Sequence, residues 1–131
     1  VVNVKPIYLL DADVFIEAKN RYYAFDIAPA FWGNLILYAQ QGQIQSIDRI
    51  KKQLEEGNDN LAKWIKDGNM AEAFIDSGQD DVIASYREIM TWVQTNPQFN
   101  DAARASFAGD PDGWLIAFAK AKDVFLLPMK P

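Results

Sequence analysis

The chain has 131 residues, of which 50% are hydrophobic and 13% aromatic. A chain of this size buries roughly two-thirds of the surface of its unfolded state, so we expect a single domain over residues 1–131. It contains neither cysteine nor histidine, which excludes disulfides, thiolate metal sites and the commonest general base. The net charge of −5 argues against nucleic-acid binding through a broad basic surface and is compatible with an acidic metal site.

The apolar stretches are too short to cross a membrane. None approaches the ~20 residues that span a bilayer, and Lys5 and Pro6 interrupt the first apolar run, unlike a signal peptide. We therefore expect a cytoplasmic protein with no membrane partner.

The spacing of apolar residues predicts strands that alternate with helices. Ile7 to Leu10 reads as a buried strand of a parallel sheet that ends at Asp11, at the sheet edge where such folds bind ligands. Further strands are predicted at 44–47 and 124–127, and residues 70–76 fit either an edge strand or a helical turn. Predicted helices cover 14–19, 29–41, 48–57, 61–65, 80–95, 100–108 and 114–120, with Ser46 or Asp48 capping the third and an exposed loop at 20–28.

This alternation predicts a three-layer α/β/α sandwich with a mainly parallel central sheet, which is a Rossmann-like arrangement. Four tryptophans fall in apolar helical patterns and are assigned to the core: Trp32, Trp64, Trp92 and Trp114.

Two acidic clusters precede predicted helices. Asp11 and Asp13 follow the first strand in LLDADVF, and Asp110 and Asp112 lie in GDPDGW. Acids at such positions commonly cap the following helix, which is the plainer interpretation of either cluster alone. If both clusters converge above a parallel sheet, their carboxylates repel unless a cation or a shared proton lies between them. Magnesium would supply that positive charge.

Three blocks, in order, resemble those of PIN-domain proteins: LLDADVFIEAKNRYYAFDIAPAFW, IQSIDRIKKQLEEGNDNLAKW and GDPDGWLIAFAKAK. More narrowly, the chain is similar from Tyr8 to about Lys122 to an uncharacterised bacterial PIN-like subfamily, domain of unknown function 4411. The resemblance implies a PIN-like fold and a metal-dependent endoribonuclease that uses Mg²⁺ or Mn²⁺. The partners that it implies are an RNA substrate, a cognate antitoxin of a bacterial toxin–antitoxin pair, and a second copy of the chain in a homodimer.

Carried over by position, the invariant first acid of the family is Asp11, and Asp13 is the polar position two further on. The third-block acid is Asp112, with Asp110 as an auxiliary. The second block departs from the pattern, because Gln53 stands where the family has a glutamate. An amide adds no negative charge, so metal affinity and activation of water should both weaken.

Two further features concern the completeness of this site. Glu56 lies one turn after Gln53 on the same predicted helical face and is a candidate substitute for the family glutamate. The C-terminal segment VFLLPMKP lacks the threonine and the acid that usually follow the last family strand. The metal ligands implied are therefore Asp11, Asp112, Asp110 and Glu56.

Cations and tyrosines beside the first two blocks are candidates for binding RNA. The cations are Lys19, Arg21, Arg49, Lys51 and Lys52, and the tyrosines that could stack on bases are Tyr22 and Tyr23. Considered alone, each of these cations is more simply explained as a solvated surface charge than as an RNA contact. The two tyrosines fit packing in the core as well as they fit stacking on bases.

Two other functions stay open. IYLLDADVF also fits the DxDx[TV] signature of haloacid-dehalogenase-type phosphohydrolases, with Asp11 as nucleophile and Asp13 as acid and base. In that family, however, the later acidic motif follows an apolar strand, whereas here it follows a predicted helix. The second alternative is a PIN-like protein with impaired catalysis that acts as a binding or regulatory partner, which Gln53 and the missing C-terminal acid both favour.

Overall fold

The computed structural model describes residues 6–22 and 28–126, and these form an α/β protein with a parallel sheet. The described strands lie in the order β3-β2-β1-β4, and every neighbouring pair is parallel. Their bounds are Tyr8–Leu9 for β1, Ile44–Ile47 for β2, Phe74–Ile75 for β3 and Phe125–Leu126 for β4. The predicted three-layer α/β/α fold with a parallel sheet is confirmed, and β1 is an inner strand, between β2 and β4.

The helices connect these strands and carry recognisable end signals. Asp11, Asp59 and Asn100 cap three of them through side-chain oxygens that accept backbone N–H groups. Pro29 begins another, where a missing N–H costs nothing. The helices are α1 (Ala12–Glu17), α2 (Pro29–Gln40), α3 (Asp48–Glu55), α4 (Asn60–Lys66), α5 (Asp80–Thr95), α6 (Asp101–Ala108) and α7 (Asp112–Lys122).

Two short turns complete the described elements. A π-helical turn, Ala18–Tyr22, continues from α1 into the segment predicted as a loop, whose residues 23–27 lie outside the described part. A 3₁₀ turn, Ala71–Ala73, leads directly into β3. Residues 70–76 thus contain both predicted structures, a helical turn followed by a strand. Strand β3 lies at the edge of the described sheet.

The core lies between the sheet and the helices packed on it. Leu9 and Ile47 of the central strands are fully buried, as are Ile50 of α3 and Ile65 of α4. Helix α7 packs along α5 and buries an apolar row, Leu115, Ala117 and Phe118. Complete burial of a Leu or Phe side chain contributes about 1.5–3 kcal/mol, so α7, which carries Asp112, is firmly anchored.

A close approach at Gly113 lets α7 reach this position. A Cβ atom there would lie 3.0 Å from the Phe107 ring of α6 and 3.2 Å from the Tyr86 ring of α5. Only a residue without a side chain leaves both rings undisturbed. The glycine therefore sets the depth at which the start of α7 sits between its neighbours.

The structure corrects two local predictions. Trp92 is 58% exposed and contacts Phe99 edge-on, because the buried face of α5 is formed by other residues such as Val82 and Val93. The predicted side-chain cap of α3 is also wrong, since Ile47 occupies the cap position. Of the other tryptophans, Trp32 is buried, and Trp64 and Trp114 are partly buried against the core.

The residues predicted to cap α3 make other hydrogen bonds. Ser46 Oγ donates to the Leu10 carbonyl at 2.7 Å, which ties β2 to the end of β1. Asp48 Oδ1 accepts from both the backbone N–H and the hydroxyl of Ser77, beyond the end of β3. Across residues 6–22 and 28–126, no helix has the length and apolar character needed to cross a bilayer.

Candidate active site

The first acidic cluster lies where β1 gives way to α1. Asp11 is 4% exposed, and its Oδ1 accepts the Val14 backbone N–H at 3.1 Å, so it caps α1. Burial raises the pKa of Asp11, and the neighbouring charge of Asp13 raises it further, against the lowering effect of the Val14 hydrogen bond. An aspartate that caps a helix in contact with water would not have its pKa raised by burial. Capping of α1 therefore does not by itself explain why Asp11 is buried.

The second acidic cluster lies in the turn between α6 and α7. Asp110 Oδ1 accepts the Asp112 backbone N–H at 2.8 Å, which fixes the turn, and Asp112 is the first residue of α7. Burial raises the pKa of Asp112 to about 6, and the charges of Asp110, Asp11 and Asp13 add to the effect. The pKa of Asp112 thus responds to carboxylates from both clusters.

The two clusters line one small cavity of about 170 Å³. Its wall is formed by Asp11, Asp13, Gln53, Asp110 and Asp112, together with Ala12. We call this the acidic cavity. It lies beyond the carboxyl end of β1, with Gln53 contributed by α3. The structure brings together all five residues that the family pattern assigned to the three blocks.

The donor set of the acidic cavity suits a hard divalent cation. Four carboxylates and one amide oxygen are the ligands that Mg²⁺ and Mn²⁺ prefer, and burial, followed by the charges of the neighbouring aspartates, raises the pKa of Asp112. As the described side chains stand, no group of three or more acidic residues is arranged to hold a metal ion. The residues fit such a cation in the chemistry of their oxygen atoms.

A larger cavity of about 570 Å³ adjoins the acidic one, because Gln53 and Asp110 line both. We call it the mixed cavity, since its charged side chains are Arg49, Lys52, Glu56 and Asp110. The end of α6 and the turn before α7 form the rest of its wall, with Ser106, Gly109, Pro111 and Trp114 among the lining residues. Glu56 lies here and not in the acidic cavity, so the structure does not group it with the candidate metal ligands.

Trp114 has a role that the apolar pattern of α7 did not predict. Its ring stacks on Tyr86 with centroids 3.9 Å apart and planes 7° from parallel. The Arg49 guanidinium carbon lies 4.1 Å from the centre of the same Trp114 ring, a cation–π contact. Sequence spacing gave no signal for this stack, because its members belong to α3, α5 and α7.

The remaining predicted RNA-binding residues lie elsewhere. Lys19 pairs with Asp59 at 2.6 Å and lines neither cavity. Lys51 lies 3.8 Å from Glu55 on the same helix. The side chains of Arg21, Tyr22 and Tyr23 are outside the described part of the chain. Of the predicted cations whose side chains are described, only Arg49 and Lys52 are therefore brought to the site.

Fold and site together define an α/β protein with an acidic cavity at the carboxyl edge of a parallel sheet. Its sequence matches the family model described as domain of unknown function DUF4411 over residues 8–128, and the chain belongs to that family. Comparison with curated proteins and with solved structures finds no match. The relation to PIN domains stays a prediction.

Proposed function

We propose that the protein is a PIN-type, metal-dependent endoribonuclease. One observation carries the proposal: acidic residues from the two ends of the chain, Asp11 and Asp112, line the same cavity and interact electrostatically. Carboxylates are brought into such proximity at a cost in free energy, which a divalent cation offsets when it binds. Perturbed acids in a cavity at this edge of an α/β sheet also favour a catalytic role over a purely structural one.

In this proposal, Asp11 and Asp112 hold Mg²⁺ or Mn²⁺, with Asp13, Asp110 and Gln53 around them. When bound, the cation supplies Lewis acidity that activates water and stabilises charge on a phosphodiester. Asp112 must lose its proton to serve as a ligand, and its pKa of about 6 makes this step pH-dependent near neutrality. Asp110 holds the backbone N–H of Asp112 and so fixes the turn that presents it.

The biological role proposed with this activity is that of a toxin in a bacterial toxin–antitoxin pair, located in the cytoplasm. It rests on the family resemblance alone. A cognate antitoxin and a second copy of the chain are the protein partners it implies. Growth arrest on expression of the wild-type chain, and none on expression of Asp11→Asn, is the expected result.

The direct test is Mn²⁺-dependent cleavage of a labelled single-stranded RNA. We expect cleavage by the wild type, a loss of at least about 100-fold in Asp11→Asn and Asp112→Asn, and no loss in Asp67→Asn. Asp67 is a suitable control because it is exposed after α4 and lines neither cavity. Cleavage that survives both site substitutions would refute the proposal.

A second candidate is a PIN-like protein with impaired catalysis, acting as a binding or regulatory partner. The observation that favours it is the position of Gln53, an uncharged amide on the wall of the acidic cavity. Comparison of the wild type with Gln53→Glu separates the two candidates. Cleavage by both proteins supports the nuclease, whereas cleavage by Gln53→Glu alone supports the impaired protein.

The phosphohydrolase alternative is weaker. The acidic turn that carries Asp110 follows helix α6, and not an apolar strand. Asp11, which would be the nucleophile, is buried and accepts a backbone hydrogen bond. Hydrolysis of p-nitrophenyl phosphate that is lost in Asp11→Asn, without any RNA cleavage, would favour it instead.

A further inference from the structure

The two adjoining cavities differ in the sign of the charges that they offer. The acidic cavity is lined by four aspartates and by no cation. The mixed cavity contributes Arg49 and Lys52, which lie one turn apart on α3. Because Gln53 and Asp110 form a shared wall, a ligand in one cavity lies next to the other. One phosphate of a nucleic-acid strand can therefore lie at the acidic cavity, the candidate metal site, while its neighbour lies beside the two cations of the mixed cavity.

The Arg49 guanidinium is held in place before any ligand arrives. Its Nε donates to Ser77 Oγ at 3.3 Å, and its guanidinium carbon lies over the Trp114 ring. Ser77 is fully buried, and its hydroxyl donates to Asp48 Oδ1 at 2.6 Å. The opposite face of Trp114 is supported by Tyr86. A guanidinium fixed in this way loses less conformational entropy when it binds an anion.

The terminal donors of this arginine stay available. Within residues 6–22 and 28–126, no acceptor lies within hydrogen-bond distance of the Arg49 Nη atoms, and no carboxylate pairs with Lys52. Glu56 and Asp110 bring two negative charges to the same cavity. Anion binding there depends on these two cations, and neutralising one of them leaves the cavity with a net negative charge.

We propose that the mixed cavity binds a phosphate adjacent to the one that is cleaved, through Arg49 and Lys52. The substrate then extends at least one phosphate beyond the scissile bond. This inference rests on the proposed nuclease function. The cavity volume of about 570 Å³ lies within the range of about 300–1,000 Å³ typical of sites for small ligands. Arginine presents paired donors that match a phosphate, and lysine acts beside it as a point charge.

The experiment measures binding of a fluorescein-labelled, single-stranded RNA hexamer in EDTA, where no metal-dependent cleavage occurs. Arg49→Gln is expected to weaken binding about tenfold and to lower the salt dependence, the slope of log K against log salt, by about 0.7. Arg49→Lys keeps the positive charge but not the paired donors of the guanidinium, so its affinity should lie between those of the wild type and Arg49→Gln. Lys52→Gln should lose about threefold, since an exposed lysine contributes less. Arg87→Gln, an exposed arginine of α5 that lines neither cavity, is the matched control and should bind as the wild type does.

Binding and cleavage, measured separately, distinguish the two proposals. If Mn²⁺-dependent cleavage occurs and Arg49→Gln binds the hexamer as well as the wild type does, the phosphate site is refuted and the nuclease stands. If cleavage is absent while Arg49→Gln and Lys52→Gln weaken binding, the cavity binds phosphate and the nuclease fails. No binding by the wild type, or equal loss in Arg87→Gln, also overturns the phosphate site. Urea denaturation of each variant shows that a loss of binding does not arise from unfolding.

Discussion

Removing the charge of Asp112 should stabilise the metal-free protein at neutral pH. Its pKa in the folded protein is about 6, against an ordinary value of 3.8, so the folded state binds the proton more tightly than the unfolded state does. The ionised carboxylate therefore opposes folding. This penalty is absent below pH 3.8, grows between the two pKa values and is complete above pH 6.

The size of the effect follows from the shift. A change of about two pKa units corresponds to about 3 kcal/mol without screening. Because Asp112 is partly exposed, water screens part of this, and we expect about 1–2 kcal/mol. Asp112→Asn should raise the free energy of unfolding by this amount at pH 7.5 and leave it unchanged near pH 4. Loss of a negative charge in the first turn of α7 subtracts about 0.3–1 kcal/mol at low ionic strength and leaves a net gain.

Urea denaturation at both pH values, in EDTA, measures the difference between wild type and variant. Asp67→Asn is the control and should show no pH-dependent gain, since that side chain is exposed and remote from both cavities. Under the proposed function, excess Mn²⁺ should reverse the order, because the wild type binds it more tightly than the variant and gains more stability. A variant that is no more stable at pH 7.5, or equally stabilised at pH 4, would refute the account of the acidic cavity.

Gln53→Glu tests the acidic cavity, and Gly113→Ala, with Gly33→Ala for comparison, tests the packing that positions α7. Gln53→Glu should tighten Mn²⁺ binding by about 1–3 kcal/mol and destabilise the metal-free protein. Calorimetric titration measures the change in affinity, and thermal unfolding measures the change in stability. Equal affinity for Mn²⁺ in the two proteins would place Gln53 outside the metal ligands. Gly113→Ala, whose Cβ would lie 3.0 Å from Phe107 and 3.2 Å from Tyr86, must displace the two rings at a cost of about 1–3 kcal/mol. The helix propensity of Ala offsets about 0.5–1 kcal/mol of this, so we expect a net loss in urea denaturation. Gly33→Ala in α2, where a Cβ meets nothing within 4 Å, should instead gain about 0.5–1 kcal/mol.

Elements set by local patterns were predictable from the sequence. The second strand, Ile44–Ile47, and helix Asp80–Thr95 have the predicted bounds, because periodicity and end signals lie within the segments themselves. Trp92 was misassigned because its apolar character could not reveal which face of α5 meets a neighbour. Asp48 was expected to cap its own helix, yet it bonds to Ser77, 29 residues later in the chain.

The candidate site likewise contains residues that the sequence predicted and contacts that it could not predict. The acidic residues were found because the family pattern carries their order along the chain, and the parallel sheet then gathers them at one edge. The contact of Arg49 with Trp114 joins separate helices and has no counterpart in sequence spacing. Glu56 follows Gln53 by one turn and lines the mixed cavity beside it, as a shared helical face predicts, but only Gln53 also reaches the acidic cavity.

The pairing of β1 with β4 has a consequence for synthesis of the chain. Strand β1 is synthesised before its partner β4, which follows α7 in the chain. Asp112 likewise joins Asp11 only after α5 and α6 have been made. A nascent chain that has not yet exposed α7 to solution lacks one wall of the acidic cavity. The order of synthesis therefore delays assembly of the acidic cavity until α7 has folded against α5.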